Sequence, residues 1–250
     1  MALRGAIPAL FAAAFVALSL PAAASDAAKG MQRVGAFLID RTETTVAQFR
    51  KFADATGIAT VAEKAGGGLV YDAGWEKKPG WTWRTPFGTP ADEAEPTVHI
   101  TYDEAAAYCR WAGKRLPTDE EWVEAAYTER RPSPPAPFET GRTYPYPTGE
   151  SPAGANCLGD CGRPPVLDRS AVLSRGTGPA RAGATKAGVN GLHDMGANVW
   201  EWVDAGDAEK RTRGGSWWYG AAQMRADHIA SKPRDMAVVY IGFRCARDAE

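Results

Sequence analysis

Twenty-seven glycines and 18 prolines are spread along this 250-residue chain, and they interrupt nearly every stretch that could become a long helix or strand. Glycine disfavours element interiors through its backbone entropy, and proline through its missing N–H and fixed φ. The chain is still long enough to bury a proper core, and nine tryptophans bring large apolar area to it. Many turn formers beside many large aromatics predict an irregular, loop-rich fold held by aromatic packing. Lys and Arg number 29 against 30 Asp and Glu, so the basic excess of a nucleic-acid binder is missing. With 44% apolar and 24% charged residues, the composition is globular and not disordered. Three histidines confine imidazole chemistry to very few positions.

The first residues read as an address. Arg4 precedes an apolar run from Ile7 to Leu20, followed by Pro21-Ala22-Ala23-Ala24-Ser25. A basic start, an apolar run shorter than the roughly 20 residues of a membrane helix, and an A-x-A site describe a signal peptide over residues 1–24. Cleavage is expected after Ala24, leaving a periplasmic or secreted protein that is free of the membrane and folds where cysteines pair. Residues 25–35 are expected to be a flexible mature N-terminus. Residues 36–247 are expected to form a single α+β domain, since no internal repeat or dividing linker is present.

Three capping boxes announce helices. Thr45-x-x-Gln48 opens a segment with Val46, Phe49, Phe52 and Ala53 on one face, closing at Gly57. Thr101-x-x-Glu104 opens a second, through Ala105, Tyr108, Cys109 and Ala112 to Gly113, and Thr118-x-x-Glu121 a third, with Trp122, Ala125 and Ala126 facing in. Beyond Arg130 no helical period survives, and Arg131 to Pro137, with its repeated prolines, must be an extended loop. Residues Arg163 to Asn190 also read as loop. Strand candidates are Ala36–Asp40, Val98–Ile100, Thr212–Trp217 and Val238–Arg244.

Loop-rich backbone needs staples, and cysteines and carboxylates offer two kinds. Cys109 lies on the second helix and Cys245 in the last strand candidate, so a bridge between them would close a very long loop. Cys157 and Cys161 sit in a turn-forming Asn156-Cys157-Leu158-Gly159-Asp160-Cys161-Gly162. They could be half a zinc site or a redox pair, but no second ligand pair completes the zinc site and the redox spacing differs. A small structural disulfide is the favoured reading. The densest patch is Gly191-Leu192-His193-Asp194-Met195-Gly196-Ala197-Asn198-Val199-Trp200-Glu201-Trp202. Asp194 and Glu201 bracket small residues whose carbonyls point freely, an oxygen-rich setting for a hard cation such as calcium; two solvated carboxylates on a turn would look the same. His193 and His99 read as packed, hydrogen-bonded histidines, and His228 falls in no pattern.

Read in order, the chain carries Phe37-Leu38-Ile39-Asp40-Arg41-Thr42-Glu43-Thr44-Thr45, Trp83-Arg84-Thr85-Pro86, and Ala107 to Trp122 with its Trp111-Ala112-Gly113-Lys114-Arg115-Leu116-Pro117-Thr118 junction. Then come the Asp194–Trp202 patch, Arg213-Gly214-Gly215-Ser216-Trp217 and Gly242-Phe243-Arg244-Cys245. This series resembles the formylglycine-generating enzyme, or sulfatase-modifying-factor, family from about Phe37 to Ala246. The resemblance implies an irregular fold of low secondary-structure content, related to C-type lectins. It implies a Cys109–Cys245 disulfide and a structural calcium held by Asp194, Glu201 and the carbonyls of Ala197 and Val199. A second calcium would use Asn156 and, on a weaker match, Asp168. Ala197 departs from the family's usual glycine.

The largest departure is at the catalytic centre. The family holds Cu(I) between two thiolates, a soft ligand set for a soft ion, and the matching positions here are Tyr219 and Met224. Copper is therefore not expected, and formylglycine formation by that mechanism should fail. What remains is a pocket of Trp200, Ser216, Trp217, Trp218, Gln223 and Arg225, suited to an extended peptide, with Arg225 pairing a carboxylate. The expected partner is a client protein or peptide in the periplasm, and the expected role is that of an accessory or maturation factor, as for family relatives that accompany copper nitrite reductases. Two alternatives are an oxidoreductase with a non-standard metal site, modifying a protein side chain, and a lectin-like binding module.

Overall fold

All three expected capping boxes open helices, and a fourth opens one that periodicity could not reveal. The computed structural model describes residues 1, 30–159, 161–206 and 210–249, so the expected signal peptide past Met1 lies outside the described residues. Helix α1 (Val46–Thr56) begins with Thr45 Oγ1 accepting from the Gln48 N–H and ends at Gly57, left-handed at φ 67°. Helix α2 (Val61–Lys64) is a single turn started by Thr60 and Glu63 in the same reciprocal pattern. Helices α3 (Tyr102–Trp111) and α4 (Asp119–Tyr127) start from Thr101 and Thr118. Among the described residues no helix is long and apolar enough to cross a membrane.

The strands are short: β1 (Met31–Val34), β2 (Phe37–Asp40), β3 (Gly67–Tyr71), β4 (Trp75–Pro79), β5 (Trp200–Val203), β6 (Lys210–Arg213), β7 (Ala230–Lys232), β8 (Ile241–Gly242) and β9 (Ala246–Asp248). They form an antiparallel β1-β2-β9 sheet, a β3-β4 hairpin, and a mixed β7-β6-β5-β8 sheet in which β5 and β8 run parallel. Mixed helices and small sheets joined by long irregular segments make this the α+β fold expected.

Several boundaries differ from expectation. The end of the segment expected to be flexible is ordered as β1, because Met31 and Val34 turn into the core while the strand pairs with β2, Met31 opposite Asp40. Val98–Ile100 is not a strand, since His99 adopts φ 57°, which breaks an extended run. The strand expected to reach Trp217 stops at Arg213, before Gly214 and Gly215 at φ 93° and 80°. Only β8 survives of the Val238–Arg244 candidate.

Aromatic packing does hold the interior. Phe49 of α1 sits at the centre, with ring centroids 5.1 Å from Trp83, 5.3 Å from Phe52, 5.8 Å from Tyr108 and 6.4 Å from Phe243. A second core joins Val34, Phe37 and Ile39 to Trp122, Ala125 and Ala126 of α4. Between Trp81 and the hairpin lies His99, fully buried, with Nε2 3.1 Å from the Pro86 carbonyl. Gly68 is required beside it, because a Cβ there would meet His99 Nδ1 at 2.1 Å.

Both cysteine pairs form disulfides, so no thiol is left free. Cys109–Cys245 joins α3 to the segment before β9 across 136 residues, with Cα atoms 5.6 Å apart. Closing a loop of that length in the unfolded chain stabilises the fold by about 4–5 kcal/mol in the chain-entropy picture. Replacing both cysteines with alanine should therefore lower unfolding free energy by several kcal/mol, and a change below about 1 kcal/mol would contradict the staple.

Burial holds the His99 pKa down at about 4, against an ordinary histidine value of about 6.5. The folded state thus binds its proton less readily than the unfolded chain. Stability contributed by neutral His99 is present above about pH 6.5 and is lost as pH falls from there towards 4. Side-chain NMR at pH 5.5 should show a neutral His99 ring; half-protonation near pH 6.5 would refute its burial.

Candidate functional site

The site grows from strand β5, whose four residues are all buried. Period-two alternation sends Trp200 and Trp202 to one core and Glu201 and Val203 to the other. Glu201 arrives there as a charged group at 1% exposure and is met by Arg244 at 0%. The guanidinium grips it at two points, Nε to Oε2 and Nη2 to Oε1, both 2.7 Å, while Trp122 Nε1 donates to Oε2 at 2.8 Å. Arg244 also donates to the carbonyls of Asp40 and His193, so one side chain joins β2, β5 and the turn after His193.

Two further buried carboxylates face this pair. Glu43 accepts from Asn198 Nδ2 at 2.6 Å and from the Val199 N–H at 3.1 Å. Burial, and then the neighbouring Asp194 and Glu201 charges, push its carboxyl well above the usual range. Asp194 accepts from Thr185 Oγ1 at 2.6 Å and from the Gly183 N–H at 2.5 Å. Asp194, Ala197 and Asn198 all hold left-handed backbone, at φ 61°, 60° and 54°. That conformation is unfavourable for alanine and natural for glycine, which is the physical content of the departure at Ala197. Glu43 lies in the Phe37–Thr45 motif that carries the resemblance, but the sequence assigns it no place at the acidic turn.

These residues fit a cation by charge. Three buried carboxylates share one bonded guanidinium, leaving negative charge that a proton or a metal ion would balance. Among the described residues no three His, Cys, Asp or Glu side chains converge as metal ligands. A site drawing on Asp194, Glu201 and the Ala197 and Val199 carbonyls would not require three. At the second expected position Asn156 is fully buried, its Nδ2 donating to Gly178 O and Asn198 Oδ1 while its Oδ1 has no partner. That orphaned acceptor also suits a cation. Asp168 accepts from its own turn, at the Ser170 N–H, on an exposed segment, and no bond joins it to Asn156 among the described residues.

The expected aromatic pocket divides. Ser216, Trp217 and Trp218 are buried, and Tyr219 is the more open neighbour. Tyr219 packs edge-on against Trp200 at 5.7 Å and against Tyr240 at 5.8 Å. Met224 is elsewhere, fully buried in a small cluster with Ala155, Ala197 and the Cys157–Cys161 disulfide. Gln223 backs onto Gly215, and Arg225 lies over Tyr146 and pairs with Asp227 at 3.4 Å. Tyr219 and Met224 thus belong to different packing groups. With every cysteine in a disulfide, the donor set does not fit a Cu(I) thiolate centre. The groups actually beside the Trp200 indole are Tyr219, His228 and Lys232, and the last two had no signal in the sequence.

An irregular α+β scaffold centred on the buried Arg244–Glu201 pair characterises the fold. Residues 16–249 match the family described as the sulfatase-modifying factor enzyme 1-like domain, and the chain belongs to that family. The formylglycine-generating enzyme of Mycobacterium tuberculosis is 36% identical over 202 residues, which cover 68% of this chain and 64% of that protein. This chain thus matches just under two thirds of the length of that relative. The mouse protein named inactive C-alpha-formylglycine-generating enzyme 2 is 30% identical, covering 85% of this chain and 75% of its own length. The solved structure of PvdO from Pseudomonas aeruginosa superposes with a TM-score of 0.56 at 19% identity, covering 85% of this chain and 80% of that one.

Replacing Arg244 by methionine would leave buried carboxylates without their cation. The expected loss is about 3–5 kcal/mol, read from the denaturant midpoint at constant slope. A loss below about 1 kcal/mol would contradict the central role of the pair.

Proposed function

We propose that this chain is an exported accessory or maturation factor that binds a periplasmic client polypeptide at the Trp200–Tyr219 pocket, and that it does not generate formylglycine. The observation that carries the reading is at the two family thiolate positions. A phenol and a packed thioether stand there, and all four cysteines are spent on disulfides. A relative whose name marks it as inactive supports the view that this scaffold persists where the reaction does not. The partly open Tyr219, backed by Trp200 and Tyr240, offers the aromatic surface that polypeptide interfaces favour.

Two measurements test this. Copper-treated protein, incubated with a cysteine peptide of the sulfatase type, should return the peptide unoxidised by mass spectrometry; formylglycine product would overturn the reading. A photo-cross-linking amino acid in place of Tyr219 should trap one defined client in the periplasm. The same group in place of Trp111, an aromatic at 46% exposure on α3, should not. Matching adducts at both positions, or none at Tyr219, would contradict client binding at this pocket.

We also propose a structural calcium ion at the Asp194–Glu201 turn, supported by the excess of buried carboxylate there. Calcium supplies charge balance and oxygen coordination, and binding to the folded state alone raises stability by mass action. Chelation with EDTA should lower the melting temperature by several degrees, reversed by calcium. An unchanged melting curve would remove the ion from the account.

A further inference from the structure

We propose that Lys232 and His228 form a seat for an anion against the Trp200 indole, and that it receives an Asp or Glu side chain of the client. This rests on the reading that the client binds at the Trp200–Tyr219 pocket. Three groups surround the indole. Tyr219 packs edge-on at 5.7 Å, the His228 ring lies at 5.6 Å with a 32° tilt, and the Lys232 ammonium is 5.7 Å from the ring centroid. Lys232 ends strand β7 and is partly buried, yet among the described residues no carboxylate pairs with it. Among the described residues its ammonium makes a long 3.4 Å contact to the Ser231 carbonyl.

The neighbouring charges do not fill the role. Asp227 beside His228 pairs with Arg225, and Arg213, whose guanidinium donates to the His228 carbonyl, is held by Asp119. Burial draws the Lys232 ammonium below its ordinary pKa, and Lys232 in turn helps hold His228 down, after burial. A partly buried cation without a carboxylate partner favours an incoming carboxylate, which gains a charge-assisted hydrogen bond there. Ile229, at 53% exposure between His228 and β7, adds an apolar flank, which favours an acidic residue next to an apolar one.

The test uses two blocked peptides, acetyl-Gly-Phe-Asp-Phe-Gly-amide and its asparagine counterpart, titrated into the full folded protein. Binding is read on the His228 side-chain NMR signals; with three histidines in the chain, a His228→Gln variant assigns them. The aspartyl peptide should bind about tenfold more tightly, the asparaginyl one weakly. Lys232→Gln, or Lys232→Met if the first variant melts early, should bring the ratio to about one. Lys78→Gln, on the β3-β4 hairpin, should leave it intact. Equal affinity for the two peptides, or a preference that survives loss of Lys232, would overturn the seat and leave pocket binding standing. Failure of both peptides to bind would overturn the seat and the pocket reading together.

Discussion

The buried pairing of Arg244 with Glu201 is the interaction on which the rest of this architecture depends. A chain this rich in turns cannot hold its parts together through long ladders, because its strands run only two to five residues. Arg244 does that work through directed bonds. Its guanidinium reaches β5, the Asp40 carbonyl at the end of β2, and the His193 carbonyl at the start of the acidic turn. The next residue, Cys245, carries the long-range disulfide to α3. Two adjacent residues therefore fix both sheets, a helix and the turn. Such a pair is expensive to desolvate and still more expensive to break, so it specifies one arrangement more than it adds stability.

That arrangement separates scaffold from chemistry. Glu201 faces one core and Trp200, one residue earlier, faces the other, where the partly open Tyr219 packs on it, so the strand that anchors the fold also backs that aromatic surface. The pocket can then change its residues while the anchor stays. At the two positions that the resemblance matches to the family's thiolates stand Tyr219, a partly open aromatic, and Met224, a packing residue.

Helices were legible in the sequence because their starts are local: a Thr and a Glu or Gln three residues on satisfy the first amides without help from elsewhere. The single turn at Val61–Lys64 carried the same signature, Thr60 to Glu63, but is too short to show an apolar face. Strands were less legible. In β5, Trp200-Glu201-Trp202 alternates as a half-exposed strand would, yet all four residues are buried, since both faces are covered and Glu201 is paired inside. The hairpin β3-β4 exposes most of its second strand and so lacks an apolar pattern. Of the site, the carboxylates Asp194 and Glu201 stood out by spacing. Glu43, His228 and Lys232 did not, because their importance comes only from what long-range packing sets beside them.

The account turns on the claim that this member of the family has no soft-metal thiolate centre. The most direct measurement is a competition for Cu(I) between the oxidised, folded protein and a chromophoric Cu(I) chelator. The prediction is that the chelator keeps its copper at every protein concentration, with unfolding under non-reducing conditions exposing no thiol. Withdrawal of one equivalent of Cu(I) by the folded protein would contradict the claim.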